Sequence, residues 1–298
     1  MITFGTTPGM GIPITGAIPS PDSLSDVNQK NALKKALNYM DLQPGQPIVG
    51  QPIDVVFVGD SVGQNVLGYV GPQQVTMSDM LHHTRAVNRG VQDALLMVDL
   101  PYGSYQTPEM AVENGLLLVD AGAEVVKLEG GREVRDQVIA LVGAGIGVVG
   151  HIGYTPQTRI GERPLYGDRA DEAVLVLEDA LALETAGALG VVLECIPERV
   201  AEVVTTHLSI PTIGIGAGRV CDGQVLVVND LLGFYEAPFR FVRQYANIRD
   251  IMKGAFVAYA ADVRSGQFPA EEHRFLMKNK ELRAFREQIE SLAQGSND

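Results

Sequence analysis

EVVKLEGGREVRDQVIALVGAGIGVVGH (124–151) carries the decision about the fold. It opens with a short β-branched run, EVVKLE (124–129), and closes with another, GVVGH (147–151). Between them, residues 131–143 place apolar side chains at three- and four-residue spacing, as a helix with one buried face does. Both flanking runs are continuously apolar rather than alternating. Strands covered on both faces read that way, and sheets covered by their own crossover helices are parallel. The stretch is one strand–helix–strand unit.

Outward from it the same unit repeats. Further runs are DVVFVG (54–59), ALLMVD (94–99), GVVLEC (190–195), PTIGIG (211–216) and QVLVVND (224–230). Helical spacing recurs at 76–89, 107–121, 169–187 and 197–207. Pro108 and Pro197 stand where a first helical turn tolerates proline, and Gly90, Gly122 and Gly187 stand just past helix ends. The expected fold is α/β, a (β/α)8 TIM barrel in a single domain with a C-terminal helical extension. Seven strands are visible, and GIPITGAI (11–18), followed by a helix at 24–40, supplies the eighth. On this reading residues 1–53 are a divergent N-terminal segment giving the first β/α unit. Residues 54–273 are the barrel body, and 274–298 a charged C-terminal helix, with helices expected at 247–265 and 276–294. A doubly wound dinucleotide fold would be marked by G-x-G-x-x-G between strand and helix. GIGVVG (145–150) matches by letter, but its glycines lie within an apolar strand and no helix follows.

The 298 residues are 46% hydrophobic and 20% charged, with 33 glycines, an ordinary globular composition. Net charge is −13, which argues against nucleic acid and anionic membranes, since both are bound by basic faces. An anionic substrate then needs a local cation, a lysine or backbone N–H groups. Cys195 and Cys221 are too few for a disulfide framework and lack zinc spacing, so a reducing, cytoplasmic setting is expected. The N-terminus lacks a basic region before an apolar one, and no apolar run approaches the roughly 18 residues of a membrane span.

Polar residues gather at the C-terminal ends of the runs: Asp60-Ser61, Asp99, Lys127 and Glu129, His151, Glu194, Asn229-Asp230. In a parallel barrel those ends share one mouth, where barrel enzymes do their chemistry. Asp60, Asp99 and Glu129 would meet there, and carboxylates packed together call for a divalent cation. Oxygen donors without cysteine point to Mg²⁺ rather than Zn²⁺. The plainer alternative for any one acid is a helix cap. Lys127 and Glu129, two apart on one strand, point the same way; the lysine either holds a substrate oxygen or pairs with Glu129. Glu194, flanked by Leu193 and Cys195, suits a general base if burial raises its pKa, and otherwise is a salt-bridged glutamate. His151 either hydrogen-bonds a substrate oxygen or is structural. His82-His83, adjacent on a helix, do not face one site. GIGAG (214–218) either cradles an anion or makes a tight turn needing positive φ.

VGDSVG (58–63), VDLPYGSY (98–105), VKLEGG (126–131), GHIGYTPQ (150–157), LECIP (193–197), IGIGAG (213–218), DGQVLVVND (222–230) and GQFPAEEH (266–273) together resemble the ketopantoate hydroxymethyltransferase family. The resemblance implies one-carbon transfer from the co-substrate 5,10-methylenetetrahydrofolate to 3-methyl-2-oxobutanoate, giving 2-dehydropantoate. It implies that Asp60 and Asp99 bind Mg²⁺ with Glu129 in the metal's environment. It implies further that Asp60, Ser61, Asp99 and Lys127 bind the 2-oxo acid with His151 nearby, and that Glu194 accepts the proton. A cytoplasmic homo-oligomer, typically decameric, is also implied. The neighbouring possibilities are a Mg²⁺-dependent 2-oxo acid enzyme of the phosphoenolpyruvate mutase/isocitrate lyase type and a non-catalytic paralogue.

Overall fold

The computed structural model describes residues 53–295 apart from 92–93, 160, 162 and 236–238. The strand expected at 11–18 and the helix at 24–40 lie outside them.

Seven strands form one sheet in chain order: β1 (Val55–Val58), β2 (Leu95–Asp99), β3 (Val125–Glu129), β4 (Gly147–Gly153), β5 (Gly190–Glu194), β6 (Thr212–Ile215) and β7 (Gly223–Gln224). Every neighbouring pair is parallel. Helices α1 (Met77–Asn88), α2 (Pro108–Asp120), α3 (Arg135–Gly143), α4 (Ala170–Thr185) and α5 (Glu198–His207) return the chain between strands. The expected helix at 131–143 starts as a 3₁₀ turn, Arg132–Val134, before α3. Thr76 and Asp79 close a capping box on α1, and Thr107 caps α2 ahead of Pro108, so orphan N–H groups at both starts are satisfied.

Strand parity divides the apolar residues into two cores. Val56, Val58, Leu96, Val98, Val126, Leu128, Val148 and Ile152 belong to the larger core, which includes helix residues such as Leu118, Leu141 and Leu183. Phe57, Leu95, Met97, Val125, Val149 and Val192 form a second, inner cluster with Ile213, Ile215 and Val225. Successive side chains on a strand face opposite sides, so residues 97, 99, 125, 127 and 129 share the inner side. Both faces are thus buried, as the continuous apolar runs required.

The run 224–230 departs from expectation. Only Gly223–Gln224 pairs with β6, and Val228–Leu231 is a single helical turn, α6. The reason lies in β6, which ends at Ile215 and turns through Gly216 and Gly218 at φ 68° and 81°. After Val225 donates to Gly214 O at 3.0 Å no further partner edge remains among the described residues, and Leu231 and Leu232 bond Val227 O and Val228 O instead. GIGAG thus makes the tight turn with positive φ.

The described residues up to Ala246 form one compact unit and those from Asn247 onward a second. The second contains α7 (Ile248–Ser265) and α8 (Asn279–Gly295). Asn247 caps α7, accepting from Asp250 N–H at 3.3 Å, and Gly266 closes it in the left-handed conformation. No helix among the described residues is long and apolar enough to cross a membrane.

Candidate active site

The inner parity of the strands delivers the charged residues to one place. Asp99 ends β2 opposite Lys127 on β3, and Glu129 ends β3 opposite His151 on β4. Glu194 ends β5, and Asp60 follows β1 with Ser61. Asp60, Ser61, Asp99, Lys127, Glu129, His151 and Glu194 all line one cavity of about 860 Å³, and so does Asp230.

Lys127 is the hub. Its Nζ lies 2.8 Å from Asp99 Oδ1 and 3.1 Å from His151 Nδ1, and 5.4 Å from the centre of the Phe57 ring. Burial alone would lower its pKa, but the charges of Asp99, Glu129 and Asp60 outweigh that and raise it, so the ammonium stays charged. Its principal partner is Asp99, not the Glu129 two residues along. The Asp99 carboxylate is divided. Its Oδ2 accepts the Asp60 N–H at 2.9 Å, while Oδ1 pairs with the Lys127 ammonium at 2.8 Å.

Asp60 is pushed up to about 8, first by burial and then by the charges of Asp99 and Glu129. Glu129 goes the other way: burial opposes ionisation, but His151, Lys127 and the Gln157 N–H outweigh it and hold the pKa low. His151 sits between two acids, Nδ1 at 3.4 Å from Glu129 Oε1 and Nε2 at 3.1 Å from Glu194 Oε2. Burial and the Lys127 charge oppose its protonation; the bonds to Glu129 and Glu194 prevail and raise it to about 9. Lys127 against Nδ1 is the one contact a protonated ring does not satisfy. Glu194 keeps 17% of its side chain exposed and stands on the cavity wall beside His151, so the burial expected of it is incomplete. Ser61 is half-buried on the same wall, its carbonyl accepting from Asn65 N–H at 3.0 Å.

Sequence reading missed Gln157 and Tyr105. Gln157 is fully buried, and its Nε2 donates to Asp60 Oδ2 at 2.7 Å and to Leu100 O at 3.1 Å. Its backbone N–H donates to Glu129 Oε2 at 2.9 Å, and its Oε1 accepts from the Tyr105 hydroxyl. Burial, then the Glu129 charge, raise the Tyr105 pKa and keep the phenol a donor. One amide thus ties the Asp60 loop, the end of β2 and Glu129 together. Its sequence signal was proximity alone: it closes the segment that follows β4.

Among the described residues no three His, Cys, Asp or Glu groups are disposed to hold a metal ion. Glu129 is committed to His151 and Gln157. Asp60, by contrast, has one oxygen tied by Gln157, and Asp99 has one oxygen tied by the Asp60 N–H and the other turned to the Lys127 ammonium. Mg²⁺ commonly takes one or two protein carboxylates and completes its shell with substrate and water. The donor set fits that ion.

Fold and site define an α/β enzyme of the parallel-sheet class with its polar cluster at the strand C-termini. The family model described as ketopantoate hydroxymethyltransferase matches residues 23–271. The chain belongs to that family, and is a transferase. The 3-methyl-2-oxobutanoate hydroxymethyltransferase of Syntrophus aciditrophicus (strain SB) is 51% identical over 230 residues, covering 75% of this chain and 84% of that one. The protein of the same name from Nitratidesulfovibrio vulgaris (strain DP4) is 42% identical over 287 residues, 94% of each chain. Among solved structures, phosphonopyruvate hydrolase is similar at a TM-score of 0.49 and 13% identity, over 88% of this chain and 89% of that one. A likeness of that degree assigns neither activity nor substrate.

Proposed function

We propose that this chain transfers a hydroxymethyl group from 5,10-methylenetetrahydrofolate to 3-methyl-2-oxobutanoate, forming 2-dehydropantoate for pantothenate synthesis. The 2-oxo acid and the transferred group follow the names of its relatives. The observation that carries the chemistry is the division of labour in the cavity. Asp60 and Asp99 present carboxylate oxygens on one side, while Glu194 stands 3.1 Å from His151 on another.

Asp60 and Asp99 hold Mg²⁺, with Glu129 in its environment, and the ion when bound supplies Lewis-acid polarisation of the 2-oxo acid. Asp60, Ser61, Asp99 and Lys127 line the place of the acid's oxygens. The Lys127 ammonium offsets the negative charge that develops on the carbonyl oxygen as C3 is deprotonated. Glu194 takes that proton. His151 steadies the resulting change of charge from between Glu194 and Glu129. Water adds to the donor's methylene carbon, both of its carbon–nitrogen bonds to tetrahydrofolate break as the two nitrogens take up water's protons, C3 bonds the one-carbon unit so released, and the new alkoxide takes the proton held by Glu194. We also propose that 11–18 closes the sheet as an eighth strand, with 1–53 as the first β/α unit, 54–273 the barrel body and 274–298 its helical extension. By family likeness the protein works as a cytoplasmic homo-oligomer, decameric in form.

Incubation with Mg²⁺, the folate donor and 3-methyl-2-oxobutanoate should yield 2-dehydropantoate, with Asp60→Ala and Glu194→Gln as controls. No product with any 2-oxo acid overturns the transferase reading. Product formation that survives EDTA overturns the metal's role.

A further inference from the structure

Beyond the charged cluster, the cavity has an aromatic wall that the chemistry above does not use. Tyr235, Phe239 and Phe241, from the segment after α6, line it together with Asp60 and Glu194. Phe239 and Phe241 are stacked parallel, ring centres 5.5 Å apart, with Phe239 64% exposed. Their seat is built. Phe241 packs on the inner apolar cluster, and a side chain at Gly216 would meet its ring at 2.9 Å, so the positive-φ turn after β6 leaves room for it. The Tyr235 hydroxyl donates to Asn65 Oδ1, tying this segment to the turn that follows Ser61.

A small 2-oxo acid leaves most of about 860 Å³ unfilled; a cavity of that size is in the upper part of the roughly 300–1,000 Å³ typical of larger organic ligands. Exposed aromatic faces beside a charged floor suit a ligand that is flat and apolar at one end. The wall lies in FRFVR (239–243), whose Arg240 and Arg243 are exposed cations in a chain of net charge −13. Arg240 has no ion-pair partner among the described residues. Ring, linker and acidic tail together describe a reduced folate. We infer that Phe239 and Phe241 form the stacking platform for the donor's pteridine ring, with Arg240 beside it for the anionic tail. This deepens the transferase reading and rests on it.

The test separates the two substrates. Deuterium exchange at C3 of 3-methyl-2-oxobutanoate, with Mg²⁺ and without folate, reports the first half-reaction. Steady-state KM for each substrate, and calorimetric binding of 5-formyltetrahydrofolate, report the second. Phe239→Ala, at an exposed position, and Phe241→Ala should each weaken folate binding and raise the donor KM about 10- to 100-fold, as loss of one ring-stacking partner does. The KM of the 2-oxo acid should not rise with it, and Phe241→Tyr should keep most of the affinity. Exchange in the unsubstituted protein with unchanged donor KM in Phe239→Ala overturns this inference alone. A parallel rise in both KM values overturns it as well, because the wall is then merely structural. No exchange in the unsubstituted protein overturns the transferase reading, and this one with it.

Discussion

The backbone N–H of Asp60 donates to Asp99 Oδ2 at 2.9 Å, so the carboxylate closing β2 fixes the loop that leaves β1. The same carboxylate faces the Lys127 ammonium at 2.8 Å. Asp99 is therefore a structural and an electrostatic member of the site at once, whereas the Asp60 carboxyl beside it is pushed toward its neutral form by burial and by the charges of Asp99 and Glu129.

That asymmetry predicts opposite outcomes for two similar substitutions. Asp99→Asn leaves Lys127 buried without its main counter-charge and should cost roughly 3–5 kcal/mol of stability. Asp60→Asn removes the carboxyl that burial and its acidic neighbours already push up. It keeps an acceptor for Gln157 and should leave metal-free stability unchanged or raised. Both should abolish Mg²⁺-dependent turnover. Chemical denaturation of the two variants side by side checks this, and equal destabilisation would refute the division of roles.

Stability of the metal-free protein should fall as pH rises from 6 to 9. Asp60 is raised to about 8 and His151 to about 9 in the folded state, above their ordinary values of 3.8 and 6.5. A raised folded pKa means the native state binds more protons than the unfolded one in the interval between the two values. The stabilisation is complete below the unfolded pKa and is lost as pH climbs through the folded one. Across the window each such group lowers stability by up to about 1.4 kcal/mol per pH unit. Glu129 is shifted down, so its contribution changes only in acid, outside this window. Mg²⁺ should flatten the fall by taking the proton's place at Asp60. Thermal melts in EDTA and in Mg²⁺ decide it; a flat or rising curve in EDTA contradicts the assignment.

The same two carboxylates show how far the sequence could be read. Strand parity follows from local pattern, and that pattern alone puts Asp99, Lys127, Glu129, His151 and Glu194 on one side of a parallel sheet. Partner choice does not follow from it, because pairing depends on inter-strand register. Lys127 pairs across to Asp99, its register partner, rather than along its own strand to Glu129. Gln157 escaped for a related reason: it lies outside any periodic element, and its importance comes from contacts 97, 57 and 28 residues away in the chain. The run 224–230 read as a strand because it is β-branched, but pairing needs an edge, and β6 stops short of it.

Gln157→Leu should damage the site without touching a substrate. It removes the donor to Asp60 Oδ2 and Leu100 O and the acceptor of the Tyr105 hydroxyl. Each buried group left without a partner costs about 1–3 kcal/mol. Loss of the bond that orients a metal-binding carboxylate typically costs about 10- to 100-fold in metal affinity or activity. Calorimetric Mg²⁺ binding measures this apart from turnover. Unchanged affinity would make Gln157 a purely architectural residue.

Gly153→Ala should be among the most damaging single-methyl changes in the chain. Gly153 has φ of 94°, and an added Cβ would lie 2.3 Å from the carbonyl oxygen of Glu194 and 2.8 Å from Ile196. The strained φ alone costs about 1–3 kcal/mol. The clash falls on the backbone of the proposed base, so β5 must move or the turn must open. A drop in melting temperature together with loss of C3 exchange is expected; a stable, active variant would show that this contact yields easily.

Glu194→Gln should separate binding from proton transfer. Glu194 lies at the cavity wall with its Oε2 3.1 Å from His151 Nε2, and it keeps solvent contact. Glutamine preserves the volume and an acceptor for the imidazole, so the fold and the cluster of Lys127, Asp99 and Asp60 should persist. What disappears is the carboxylate that removes the C3 proton. General-base catalysis contributes about 10²- to 10⁴-fold, and that loss should appear in C3 deuterium exchange without the folate donor, with the affinity for 3-methyl-2-oxobutanoate unchanged within a few-fold. Exchange at the unsubstituted rate would remove Glu194 as the base and leave His151, already bonded to it, as the next group to substitute.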